Sequence, residues 1–147
     1  GYRMKDTACR MQDKESNPKS KQRAQSYKDL EVYSLGKALA AKVHKLTIEE
    51  LPKFEIYEEG SQIRRSSKSI VANLVEGFGR RKYLNEFIRF ITYAIASCDE
   101  TKVHLEMLYE TESIPKEDFE SLCKSYEELG AKLYNFREAV TKSHRTG

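Results

Sequence analysis

Seven basic side chains fall within residues 60–90, against two acidic ones, so this part of the chain has a charge balance of +5. They are Arg64, Arg65, Lys68, Arg80, Arg81, Lys82 and Arg89. Clustered lysines and arginines neutralise phosphates, so these residues form the candidate nucleic-acid-binding site. Only Phe78 and Tyr83 stand among the later cations. Base stacking is therefore not expected.

Two interpretations of these cations stay open. They pair with carboxylates of the acidic segment 91–147, which has 11 acidic and seven basic side chains, or they bind RNA. For Arg64 and Arg65 we favour pairing with carboxylates. For Arg80, Arg81 and Lys82, pairing and RNA contact are equally compatible with the sequence. Residues 1–26 carry seven basic and three acidic side chains and are the second candidate for a polyanion.

Two polar residues, Asn73 and Glu76, lie on or beside an apolar helix face. A partly buried carboxylate costs free energy unless a cation accompanies it. We therefore predict a structural polar network of Asn73, Glu76, Arg64 and Arg65, within one bundle or across a subunit interface, in which Arg64, Arg65 or Arg80 is the partner of Glu76. An acid catalyst at Glu76 is the alternative.

Other chemistry finds little support in the spacing. A di-metal site in a helical bundle needs Glu-x-x-His, but the residue three before each histidine is alanine or threonine. The serines near Lys68 are typical of helix packing rather than of a Ser–Lys dyad. The segment 77–79 lacks the third glycine or the Lys-Ser/Thr of phosphate loops. We predict no catalytic residue, no metal and no cofactor.

The composition bounds the class of protein. A chain of 147 residues with 39% hydrophobic and 33% charged residues is expected to form one domain without disulfide support. The three cysteines, Cys9, Cys98 and Cys123, are an odd number and widely separated, and we expect Cys98 and Cys123 to be reduced and buried, as in a cytosolic protein. With no membrane-length apolar run and no apolar leader, the expected location is the cytoplasm, with no membrane partner.

Periodicity divides the chain into four predicted helices. They span about residues 27–47, from 60 or 61 to 79–82, 84–111, and from Pro115 onward. The connection 49–59 is apolar, and we expect it to pack over one end of a bundle. The first two helices have shorter apolar stripes, and the second includes Ile63, Ser67, Ile70, Leu74 and Gly77.

The last two predicted helices have unbroken heptad stripes. The third has Leu84, Phe87, Ile91, Ala94, Cys98, Thr101, Leu105 and Leu108. The fourth has Phe119, Leu122, Tyr126, Leu129, Leu133, Phe136 and Val140. These stripes, with short connections, predict an all-α, antiparallel up-down four-helix bundle over residues 27–147, preceded by a flexible basic tail at residues 1–26. Ile88 and Ile95 widen the third stripe, so that helix is expected to make contacts on more than one side.

The second helix and the start of the third resemble a known family. The relevant residues are Gln62-Ile63-Arg64-Arg65, Ser69-Ile70, Asn73, Glu76-Gly77-Phe78-Gly79-Arg80, Glu86-Phe87 and Phe90, with Tyr27-Lys28-Asp29-Leu30-Glu31-Val32 and Lys45-Leu46-Thr47 before them. They are similar to the four-helix-bundle proteins encoded in intervening sequences of bacterial large-subunit rRNA genes. The similarity covers about residues 27–140. Two departures are Val32-Tyr33, where the family usually has tryptophan, and Val71, where it usually has proline.

The resemblance implies a ring of bundles, often a pentamer, with no established enzymatic activity. It extends more distantly to the accessory variability determinant of diversity-generating retroelements, a pentameric partner of a reverse transcriptase and RNA. Two functions are thus expected. One is a non-enzymatic oligomer that associates with structured RNA or with nucleic-acid-processing proteins. The other is a ring-shaped interaction scaffold, such as a reverse-transcriptase accessory protein, without a direct RNA role.

Overall fold

The computed structural model describes residues 23–146, and the side chains of that range up to Ser143. The predicted tail lies mostly outside the described residues, because residues 1–22, Cys9 among them, are not included. The described chain contains one 3₁₀ turn and five α-helices. Their bounds are Tyr27–Asp29 for the turn, then α1 Glu31–Glu49, α2 Lys53–Ile56, α3 Glu59–Gly79, α4 Leu84–Glu110 and α5 Lys116–Thr146.

The first helix begins later than its pattern predicts. Ser26 caps the 3₁₀ turn by accepting a hydrogen bond from the Lys28 amide at 3.1 Å, and Asp29 accepts one from the Ser26 amide at 3.1 Å. Leu30 is extended, with φ −80° and ψ 126°, so the turn and α1 are separate elements. The third helix, by contrast, begins slightly earlier than predicted, at Glu59 without a side-chain cap, and not at Gly60 or Ser61.

The four long helices, α1, α3, α4 and α5, form the predicted all-α four-helix bundle. Cross contacts between neighbouring helices pair early residues with late ones: Ser69 with Ser97 at 3.0 Å, and Ser66 with Thr101 at 2.8 Å. The same order holds between α4 and α5, where Thr92 contacts Arg137 at 3.1 Å and Cys98 contacts Tyr126 at 3.4 Å. These neighbours are therefore antiparallel.

The core follows the predicted stripes. Ile91, Leu105, Leu129 and Leu133 are fully buried, as predicted, and every member of the stripe in α4 after Leu84 is buried. Burial of these apolar side chains is the main source of stability in such a bundle. The predicted burial of Cys98 is confirmed, whereas Cys123 is only half-buried.

Small residues bring α3 and α4 close together. Gly77 lies so near α4 that a Cβ atom there would stand 2.9 Å from the Cβ of Phe90. Ser66 is buried, and its hydroxyl bonds to Thr101 across the interface. The helix pair is thus fixed both by close backbone approach and by satisfied hydroxyls.

The connection between α1 and α3 only partly meets its prediction. Leu51 is buried against the core and Ile56 packs beside it, but Phe54 and Tyr57 are 71% and 78% exposed. The prediction that the apolar connection packs over the end of the bundle is therefore wrong for these two rings. The reason is that residues three apart share a face of the short α2 turn, and this face points away from the bundle.

Candidate nucleic-acid interface

The predicted cations separate into two groups by their partners. Arg80 contacts Glu76 at 3.4 Å and Glu86 at 3.3 Å, and Arg89 contacts Glu86 at 2.9 Å. All four side chains are at least one-third exposed, so these pairs contribute little to stability. They nevertheless compensate the charge of Arg80 and Arg89, which are therefore weaker phosphate ligands than an unpaired cation.

Arg64 has a structural position at the opposite end of the bundle. Its guanidinium donates to the hydroxyl of Thr47 at 2.9 Å and to the carbonyl of Ile56 at 2.8 Å. It therefore ties α3 to α1 and to α2 through neutral oxygens. Arg65 is exposed on the same helix, and the Lys68 amine lies 3.5 Å from Nδ1 of His44.

Asn73 and Glu76 do not meet Arg64 or Arg65 within the chain. Asn73 donates to the carbonyl and hydroxyl of Ser69 at 2.9 and 3.1 Å, within its own helix. The Glu76 side chain is 57% exposed, so the expectation that it is partly buried is wrong for the single chain. Glu76 stands beside the apolar stripe rather than on it, which leaves its carboxylate in solvent. A network across a subunit interface stays a prediction.

Arg81 and Lys82 form the second group, together with Arg23. All three line one cavity of about 890 Å³ at the end of the bundle where α3 ends and α4 begins. Within the described part of the chain, no carboxylate lies within 4 Å of these three cations. We call Arg23, Arg81 and Lys82 the basic corner.

The cavity beside the basic corner has an apolar floor. Its lining includes Leu30, Phe78, Phe87, Phe136 and Val140. The rings of Phe78 and Phe87 meet edge to face with centroids 6.3 Å apart, and those of Phe87 and Phe136 do so at 5.8 Å. Side chains from three helices thus converge below the cations.

Arg81 joins the cations to this floor. Its guanidinium carbon lies 4.1 Å from the centroid of the Phe78 ring, and Nη1 donates to the Phe78 carbonyl at 3.0 Å. The cation–π contact and the hydrogen bond hold the guanidinium in place without a carboxylate of the described residues to compensate its charge.

Sequence reasoning did not assign Arg23, Phe87 or Phe136 to this site. Arg23 counted as part of a tail, and the two phenylalanines counted as core residues of separate stripes. Only the packing of helix ends brings residues 23, 81 and 136 together. The antiparallel topology was the one signal available, because it places the end of the fourth predicted helix beside the start of the third.

Other reactive groups in the described residues have ordinary structural surroundings. Burial raises the pKa of the Cys98 thiol to about 11, which outweighs the opposite effect of Lys102, and burial also raises the pKa of Cys123. Both thiols are therefore poor nucleophiles near neutral pH. His104 lies between two carboxylates, with Nδ1 against Glu59 and Nε2 at 3.2 Å from Glu100.

Metal-binding clusters and membrane-spanning helices are both lacking among the described residues. No group of three or more histidine, cysteine, aspartate or glutamate side chains between residues 23 and 146 is arranged to hold a metal ion. Within the same range, none of the helices combines the length and the hydropathy needed to span a membrane.

Comparison with known proteins agrees with the resemblance seen in the sequence. No curated protein sequence matches this chain. A crystal structure from Bacteroides thetaiotaomicron, of a protein with unknown function from the S23 ribosomal protein family, superposes with a TM-score of 0.63 at 28% identity, covering 73% of this chain and 95% of its own. Residues 28–135 match the family described as 23S rRNA-intervening sequence protein. With most of its helical bundle inside that match, the chain belongs to the 23S rRNA-intervening sequence protein family.

Proposed function

We propose that this protein is a non-enzymatic, oligomeric bundle that associates with structured RNA through the basic corner. The observation that carries the proposal is the difference between Arg80, which has two carboxylate partners, and its neighbours Arg81 and Lys82, which have none among the described residues. Uncompensated cations gain most from phosphate, since they displace counterions from the nucleic acid and give up no existing ion pair.

The position of the corner supports this function. Two chain segments contribute the three cations, and the acidic C-terminal segment does not neutralise them within the described residues. The corner therefore presents positive charge on one end of the bundle. Nucleic-acid binding by such a corner is electrostatic and tolerant of sequence, because phosphates carry no sequence information.

Oligomerisation is the second part of the proposal. The outward face of α4 carries Tyr93, Val103 and Met107, which are all about half exposed. Apolar residues aligned on one exposed face are typical of protein interfaces. We infer that copies of this chain associate through this face as a homo-oligomer, with a pentamer as the expected number. Each copy would then add one basic corner, and a single RNA that reaches several corners binds with avidity.

The same apolar face favours a second candidate function. A ring that recruits another protein, such as a reverse transcriptase, through α4 would need an exposed apolar surface and no RNA contact. The two functions make different predictions for the basic corner, because only the RNA-binding function depends on it.

Two triple variants with equal charge loss distinguish the candidates. The first replaces Arg23, Arg81 and Lys82 with glutamine. The control replaces three exposed lysines distant from the corner, namely Lys53, Lys116 and Lys124. With a structured RNA at about 50 mM salt, we expect the corner variant to lose at least tenfold in affinity and the control to change less than threefold. Equal losses would indicate bulk charge, and absence of binding by the wild-type protein would favour the scaffold.

A further inference from the structure

We propose that the cavity at the basic corner accepts an unpaired nucleotide, with its base against the Arg81 guanidinium and the apolar lining, and its phosphate against Arg23, Arg81 and Lys82. The inference rests on the proposed function and names the form of nucleic acid that the corner prefers. It also revises the expectation, drawn from Phe78 and Tyr83 alone, that base stacking is absent.

The chemistry of the lining points to a ligand with a flat apolar part and an anionic part. The apolar floor consists of largely buried side chains, since Phe78 and Phe87 are only 6% and 7% exposed, and the cations all lie on the same cavity. A volume of about 890 Å³ falls within the range of roughly 300–1,000 Å³ typical of small-ligand sites. A nucleotide matches both parts, because every base has a π-face and every linkage a phosphate.

Arg81 is the residue that links the two parts. Its guanidinium carbon lies over the Phe78 ring, 4.1 Å from the centroid, so the opposite side of the guanidinium remains for a base, and guanidinium planes stack on unpaired bases. Lysine at this position would keep the charge but lose the plane. Replacing Arg81 by lysine therefore distinguishes the stacking role of the guanidinium plane from the role of its charge.

The preference for an unpaired nucleotide follows from access. Bases of an A-form duplex are stacked on each other, and their faces do not reach a side-chain pocket, whereas bases in loops and at single-stranded ends do. A duplex meets only the cations of the corner. The cavity thus predicts tighter binding of single strands than the charge of the corner alone provides.

The test compares a fluorescein-labelled oligoadenylate with its duplex at about 50 mM salt, by anisotropy. Ala139→Phe places a ring in the cavity without removing charge, and Ala131→Phe is its control at an exposed position of the same helix outside this cavity. We expect Ala139→Phe to weaken single-strand binding about 5- to 100-fold, the range for one stacked base, and to leave duplex binding within about twofold. Ala131→Phe should change neither.

A charge-conserving pair keeps the test decisive if Ala139→Phe disturbs folding. Arg81→Lys should weaken single-strand binding more than Arg89→Lys does, although Arg89 also lies over aromatic rings, those of Phe90 and Tyr93. Adenosine monophosphate should compete better than ribose 5-phosphate, which would identify the base as the recognised part and would extend the site to free nucleotides.

The outcomes separate this inference from the proposed function. Unchanged single-strand affinity in a folded Ala139→Phe protein, or equal competition by the two phosphates, overturns the nucleotide pocket while RNA binding by the corner stands. Failure of the wild-type protein to bind either the single strand or the duplex overturns the proposed function itself.

Discussion

The close approach of α3 and α4 at Gly77 predicts an unusual response to alanine. In most helix interiors, replacing glycine by alanine stabilises the folded state by up to about 1 kcal/mol. At Gly77 the new methyl group would lie 2.9 Å from the Cβ of Phe90, an atom that cannot move without the backbone of α4. The two helices would have to separate locally, and the packing of Phe87 beside the methyl group would change with them.

The expected magnitude comes from comparing two glycines of the same helix. Overpacking a core costs about 1–3 kcal/mol, and the gain in helix propensity offsets part of this cost at Gly77. At Gly79, the last residue of α3, an added methyl group would have no atom within 4 Å, so Gly79→Ala meets no steric cost. We expect Gly77→Ala to be less stable than Gly79→Ala by about 1–3 kcal/mol.

Urea denaturation followed by circular dichroism measures this difference. Both variants must be compared at one protein concentration, because the stability of an oligomer depends on it. A midpoint that falls for Gly77→Ala and stays or rises for Gly79→Ala supports the packing described here. Equal stability of the two variants within about 0.3 kcal/mol would mean that α3 and α4 are not in close contact at Gly77, and the position of Phe90 would then be incorrect.

Four further expectations concern the core, the thiols and the assembly. Leu105→Ala should lower the free energy of unfolding by about 2–5 kcal/mol, and Ile48→Ala at an exposed position of α1 by less than about 1 kcal/mol, by the same titration. Iodoacetamide at pH 8 should modify Cys123 before Cys98, as mass spectrometry would detect. Stability should fall as pH rises from 9 to about 11, because the unfolded Cys98 thiol loses its proton before the folded one does. Light scattering should give a mass near five times the 17.1 kDa of the chain, and a monomer mass would refute the ring.

The core could be predicted from the sequence because its information is local. Leu105 and Leu129 belong to heptad stripes, and a repeat of seven residues determines which side of a helix is buried whatever its neighbour is. Phe54 and Tyr57 were misjudged because an apolar connection has no such period. Only packing around a short turn decides which ring faces the bundle.

The candidate site was less predictable for a different reason. Arg80, Arg81 and Lys82 are consecutive and look equivalent in the sequence. The helix geometry nevertheless gives Arg80 two carboxylate partners, whereas Arg81 and Lys82 have none among the described residues. The addition of Arg23 to this site depends on the packing of chain segments that are far apart in the sequence but lie at the same end of the bundle. Tertiary packing, rather than charge density along the sequence, distinguishes a basic corner from a basic segment.

The salt dependence of RNA binding is the sharpest test of the basic corner. The slope of log K against log salt reports how many phosphates a protein neutralises, at about 0.7–0.9 for each phosphate contact. For a structured RNA titrated from about 50 to 200 mM salt, we predict a steep slope for the wild-type protein. We also predict a clearly shallower slope when Arg23, Arg81 and Lys82 are replaced by glutamine. The same slope for both proteins would contradict the assignment of RNA binding to the basic corner.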